Sequence, residues 1–216
     1  MPNIEFGFDQ YASGSSSLVY PKAAKDSMPD WYKSLNKNVD IKRCMPFLDG
    51  MISGYIAELI NDVEIKIVDG EPISNQENLV GYRPGSSTGF MVPPSGHGNK
   101  HFVWKVPFII KTDPGYSVLI THPLNRFDLP FTTLSAIVDS DGLMPSGDLP
   151  FFLKEGFEGV IKAGTPMFQI LPFKREPWTS KSHQGIEEES IYINQTMDRS
   201  TQNFYRDNFW HKKEYN

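Results

Sequence analysis

The sequence predicts a mainly β protein: an antiparallel β-barrel or jelly-roll-like sandwich with short N-terminal helices and a C-terminal helix. Three observations carry this. Short runs rich in β-branched and aromatic residues recur every roughly 8–15 residues across residues 114–173. Gly and Pro, 17 of each, fall between those runs as turn punctuation. Between those runs no apolar periodicity of helical length intervenes. At 216 residues the chain has the size of one such domain. We divide it into an N-terminal segment with short helices (1–60), a β core (61–193) and a helical tail (194–216).

Taken in order, Ile4–Phe8 (IEFGF) alternates and reads as a first strand. Residues 11–17 read as a Gly/Ser loop. A short helix is expected over 28–35, with Ser27 as N-cap, Asp30 in the first turn, and Trp31 and Leu35 facing inward. Pro46 opens a second helix, 46–52, which Gly54 ends. Tyr55–Ile60 and Val63–Val68 read as strands, and Asn61-Asp62 between them fits a hairpin turn. Residues 70–100 are rich in loop formers. His101–Thr112 reads as one long strand, with Pro107 marking a bulge or an edge. Tyr116–Thr121, Phe131–Val138, Leu149–Leu153, Val160-Ile161 and Met167–Phe173 follow, and Pro150 argues for an edge position or a strand start. Ile191–Ile193 reads as a last edge strand. From Ser200 the spacing of Phe204, Tyr205, Phe209 and Tyr215 is helical, with Lys212 and Lys213 in the last turn.

Composition narrows the function. Aromatics make up 13% of the chain and 15 of them are Phe, so large flat side chains are available to fill a core between sheets. A net charge of −5 argues against general nucleic-acid binding, which needs a basic surface. The single cysteine, Cys44, excludes an internal disulfide and a cysteine zinc cluster. The first residues lack the basic start and apolar stretch of a signal peptide. No run reaches the length of a membrane span. The expected setting is a host cytoplasm, or a particle assembled there.

Several segments, in order, resemble a family found in tailed phages, notably cyanobacterial myoviruses, with bacterial relatives. They are Met28–Lys33 (MPDWYK), Ile41–Ile56 (IKRCMPFLDGMISGYI), Pro114–Arg126 (PGYSVLITHPLNR), Val138–Asp141 (VDSD) and Gly164–Arg175 (GTPMFQILPFKR). The resemblance spans roughly residues 28–215. It implies a phage source and transfers no catalytic residue. A shorter stretch is similar to the trimeric dUTPase and dCTP deaminase fold: Ala136–Asp141 (AIVDSD) and Gly164–Gln169 (GTPMFQ). That likeness implies a barrel, with Asp139 as the aspartate that orients the attacking water. Gly142-Leu143 stands where that family has an aromatic residue.

The candidate chemistry is sparse. Asp139 and Asp141 flank a serine at a strand end; such a pair orients water or holds a divalent cation, or simply makes a turn. His122, Asn125 and Arg126 follow a strand and either line a pocket mouth or pin a loop. Arg83, Ser86 and Ser87 lie in a Gly- and hydroxyl-rich stretch whose backbone N–H groups are suited to phosphate, with Gln169 beside it under the dUTPase-like reading. His97, His101 and His122 are the candidates for a cupin-like metal site, but the spacing of His97 and His101 does not suit one strand face. No nucleophile elbow is present, and Cys44 lacks a recognisable partner.

The expected function is therefore that of a phage-encoded, non-enzymatic β-barrel protein without cofactor. It would self-associate or bind a virion or host protein through its loops and C-terminal helix, and bind neither nucleic acid nor membrane. The alternatives are a dUTPase-like protein that binds or hydrolyses nucleotides, with Mg²⁺ as cofactor, and a cupin-like metalloenzyme.

Overall fold

The computed structural model describes residues 1–8, 19–69, 71–82, 91–142, 147–182, 185–199 and 204–216. The loop expected over 11–17 lies outside the described residues. Strands account for 38% and helices for 21%, so the mainly β class holds. Among the described residues fourteen strands run from Ile4 to Lys174: β1 (Ile4–Phe8), β2 (Lys22–Ala23), β3 (Tyr55–Glu58), β4 (Val63–Val68), β5 (Glu71–Ser74), β6 (Val80–Tyr82) and β7 (His97–Val106), then β8 (Phe108–Thr112), β9 (Tyr116–Thr121), β10 (Phe131–Thr133), β11 (Ala136–Val138), β12 (Gly147–Lys154), β13 (Gly159–Ile161) and β14 (Pro166–Lys174). They form four antiparallel sheets, ordered β1-β8, β10-β12-β7-β6, β11-β9-β14-β3-β2 and β13-β4-β5. Among the described residues no sheet closes on itself.

The sheets share one apolar core. Its centre is Trp104, fully buried, with its ring stacked on Phe151 at 3.7 Å and set edge-on to Phe131 at 4.9 Å. A buried indole N–H needs a partner. Trp104 Nε1 donates to Thr133 Oγ1 at 3.0 Å, and that hydroxyl donates to the Met167 carbonyl at 2.6 Å. The relay ties β7, β10 and β14, strands of two different sheets, through one satisfied polar line.

Two expected long strands are each two strands, and the breaks are the corners where the chain changes sheet. Pro107 separates β7 from β8, which pairs with β1 instead. Leu134 and Ser135 separate β10 from β11, which pairs with β9. Asn61-Asp62 is not a hairpin: β3 pairs with β14 and β2, while β4 pairs with β5 and β13. The Asp62 carboxylate instead accepts from Ala163 N at 2.9 Å and Lys162 Nζ at 2.9 Å, pinning the turn after β13. Pro150 lies in the inner strand β12, not at an edge. Its carbonyl accepts from Leu134 N, just past the end of β10 at Thr133. The missing N–H faces Leu134, so the proline removes only the reciprocal bond at the position where the β10 ladder ends.

The N-terminal helices are α1 (Asp30–Ser34), α2 (Asp40–Arg43) and α3 (Met45–Ile52). In α1 Tyr32 is the buried residue, while Trp31 is exposed and Leu35 half-buried. Ser27 does not cap this helix; its hydroxyl donates to Glu58 Oε1 at 2.7 Å, beside the Lys22–Glu58 ion pair. Residues 191–193 are not an edge strand but part of α4 (Gly185–Arg199). The C-terminal helix is limited to α5 (Phe204–Asn208), and 210–216, with Lys212 and Lys213, is a non-helical tail. No helix among the described residues is long and apolar enough to cross a membrane.

Gly54 shows how closely α3 is set against the sheet. Its φ is +70°, and a Cβ there would lie 2.1 Å from the Ile170 carbonyl oxygen. Both the positive φ and the backbone contact demand glycine. Gly54→Ala should lower the unfolding free energy by about 2–4 kcal/mol, read from the midpoint of a urea titration at unchanged slope.

Candidate functional site

Strand β14 organises the candidate residues. Gln169, in the middle of that strand, is completely buried. Its Oε1 accepts from Leu124 N at 2.9 Å, and its Nε2 donates to the carbonyls of Gly50 at 2.9 Å and Ser53 at 2.6 Å. Those carbonyls belong to the C-terminal turn of α3, which lacks intrahelical partners. The acceptor and the donor of this amide are thus both engaged inside the protein.

The loop after β9 is pinned in the same way. Asn125 has φ +62°, and its Nδ2 donates to the Phe47 carbonyl at 3.2 Å. His122 Nδ1 accepts from Thr133 N at 3.3 Å, and Nε2 donates to the Arg126 carbonyl at 3.0 Å, so the ring is held as the Nε2–H tautomer. Burial pushes the His122 pKa down and keeps it neutral. Arg126 is paired bidentately with Asp128, both bonds 2.9 Å. An open cleft of about 460 Å³ beside this pair is lined by Ser27, Glu58, Arg126, Asp128 and Gly164. Three of those side chains, Glu58, Arg126 and Asp128, are already in ion pairs.

The acidic pair follows β11, with Asp139 just before and Asp141 inside the turn Ser140–Gly142, and is bound to an arginine that sequence reading passed over. Arg175, one residue past β14, bonds Asp141 through both Nη atoms and reaches Asp139 Oδ1 at 3.3 Å. It also donates to Ser117 Oγ at 2.9 Å and the Tyr116 carbonyl at 3.0 Å. Ser117 Oγ donates to Asp139 Oδ1 at 2.7 Å, and Gly115 N to Asp141 Oδ2 at 2.9 Å. The Arg175 guanidinium, then the Gly115 N–H, hold the Asp141 carboxyl down at about 2. The arrangement clamps the chain as it leaves β14.

A second clamp holds the other end of the same segment. Asp49, on α3, is 9% exposed. Its Oδ2 accepts from Trp210 Nε1 at 2.9 Å and Lys213 Nζ at 2.7 Å. Tyr215 stands edge-on to Tyr55 at 5.8 Å, and the Tyr55 hydroxyl donates to the Asn216 carbonyl at 3.3 Å. The chain is thus clamped at Arg175 and again at Trp210 and Lys213.

Among the sequence-selected residues, the structure brings Asp139 and Asp141 together, and links Gln169 with the His122–Arg126 loop. These two groups are separate. Arg83, Ser86 and Ser87 lie outside the described residues, as does the side chain of His101. His97 Nε2 lies 2.9 Å from Thr132 Oγ1. The described residues hold no cluster of three or more His, Cys, Asp or Glu side chains placed for a metal ion. Cys44 is exposed. Arg175 and Asp49 were missed, although both lie inside the family-like segments. No family model, curated protein or solved structure matches the chain.

Gln169→Leu leaves Leu124 N–H and two α3 carbonyls without partners and should cost about 3 kcal/mol, measured by urea titration. For Asp141 the folded pKa lies below the usual 3.8, so its stabilising share is present above 3.8 and is lost as pH falls through about 2. Between those pH values wild type should lose more stability than Asp141→Asn, measured by thermal melts across the acid range.

Proposed function

We propose that this chain works by binding, as a β body that presents residues 176–209 as a docking arm to a second copy of itself. The observation that carries this reading is where the large apolar side chains are exposed. Trp178 is 90% exposed and Tyr192 72%, and Ile186, Ile191, Tyr205 and Phe209 are also open to solvent on the same segment. Exposed apolar side chains gathered on one segment support an interaction surface there, although Val92, Phe127 and Ile137 are exposed elsewhere. Helix α4 packs against no other described element in any extended way. Tyr and Trp are the residues most useful at such a surface. The motif resemblance supports a phage setting, in the virion or at a contact with a host protein. For the fold, we read the two larger sheets as a jelly-roll-like sandwich.

A second reading keeps the nucleotide chemistry. It rests on Asp139, which is 73% exposed and engaged only through Oδ1. Under it Asp139 orients water, and Asp139→Asn removes hydrolysis while the fold persists. The cupin-like reading has only dispersed histidines to draw on.

Replacing Ile191 and Tyr192 by Asp should convert an associating protein into a 24.5 kDa monomer in light scattering, with unchanged thermal stability. A wild-type chain that stays at 24.5 kDa at every concentration sinks the self-association reading. For the nucleotide reading, a deoxynucleotide with Mg²⁺ at about 100 times its dissociation constant should stabilise the chain by about 2.7 kcal/mol. A flat response across the four deoxynucleoside triphosphates removes that reading.

A further inference from the structure

We propose that His122 is a pH-sensitive latch: on taking up a proton its ring lets go of strand β10 and keeps hold of the loop 123–130. The latch is independent of the docking arm and uses none of its residues.

The hydrogen bonds of the ring carry the proposal. Among the described residues β10 is the end strand of its sheet, with β12 on one side only. Successive N–H groups of a strand point to opposite sides. Leu134 N donates to the Pro150 carbonyl of β12, so the Thr133 N–H faces the open side. There His122 Nδ1 accepts it at 3.3 Å. Across the ring, Nε2 donates to the Arg126 carbonyl at 3.0 Å. One nitrogen must accept while the other donates, which only a neutral imidazole does. An added proton has one place to go, Nδ1, and there it sets N–H against N–H. The Nε2–H bond survives and is strengthened by the charge. The charged ring therefore stays with the loop and parts from β10.

The release reaches the core. Thr133 is buried, and its hydroxyl accepts from Trp104 Nε1 and donates to the Met167 carbonyl. The residue that loses its N–H acceptor is thus the one that ties β7 to β14. The Phe131 ring stands edge-on to His122 at 5.9 Å. Burial is the largest influence on the ring, and it holds the His122 pKa below the usual 6.5. Among the charged groups that face it, Arg126 from the loop and Lys154 from β12 oppose a proton, and Asp128 favours one. The unfolded chain takes up the proton first. The stability contributed by the ring is therefore present above 6.5 and lost as pH falls through the folded value.

His97 supplies the contrast. Its Nε2 meets the Thr132 hydroxyl at 2.9 Å, and its Nδ1 meets the Ser95 carbonyl at 3.1 Å. A hydroxyl both donates and accepts, so a charged His97 keeps both bonds. Two histidines touch neighbouring residues of β10, and only His122 is built to let go.

The test is an NMR titration of the full chain, labelled with heavy nitrogen and carbon, from about pH 8 to about pH 4. The Thr133 amide and the Trp104 indole N–H signals should shift together with the His122 ring, at one midpoint below 6.5. In His122→Asn, whose side-chain oxygen accepts a hydrogen bond but does not titrate, both shifts should be lost. A Thr133 signal that follows the His97 midpoint, that moves equally in the variant, or that stays still while His122 charges overturns the latch. A His122 ring that stays neutral across the range also overturns it. If His122→Asn does not fold, the wild-type titration decides alone, because the His122, His97 and Thr133 midpoints are read from the same sample.

Discussion

A single buried amide, Gln169, holds the body in its working arrangement. Placing a primary amide at the centre of an apolar core is unfavourable unless every donor and acceptor is met. Here the acceptor takes the N–H of Leu124 and the two donors take the carbonyls of Gly50 and Ser53. One side chain thereby fixes the end of α3 and the loop after β9 against the same strand. Gly54 then lets the chain pass over Ile170 closely enough for the bracket to close.

Everything at the surface that reads as functional hangs from this bracket. α3 carries Asp49, so setting the helix sets the receptor for the tail. β14 carries Gln169 in its middle and leads directly into Arg175, whose guanidinium is seized by Asp139 and Asp141. The acidic pair, in its main contacts, anchors the chain just past β14. A partly exposed ion pair alone adds little stability. Its use here is geometric: it fixes the chain at Arg175, one residue past β14.

Local pattern made some of this legible. Val63–Val68 has the limits its alternation implies, and Tyr116–Thr121 those implied by its β-branched content after the Pro114-Gly115 turn. The choice of partner strand was not legible. Asn61-Asp62 has hairpin chemistry, yet its carboxylate is claimed by the turn after β13, which lies about 100 residues away in the chain. Ile191–Ile193 has β-branched composition, but Glu187–Glu189 precede it where a helix start favours negative charge, and the helix wins. In the candidate site, Asp139–Asp141 was legible as a turn. Its partner Arg175 was not, since the pairing depends on β9 and β14 lying side by side. Gln169 did carry a signal: a lone polar residue inside an otherwise apolar run asks for buried partners.

The central claim is that the body is self-sufficient while the arm is completed by a second copy. Amide hydrogen exchange along the full chain at rising protein concentration tests it most directly. The account predicts that β14 is protected at every concentration, and that residues 186–199 exchange quickly when dilute and become protected as concentration rises. Fast exchange of 186–199 that does not change with concentration would contradict it.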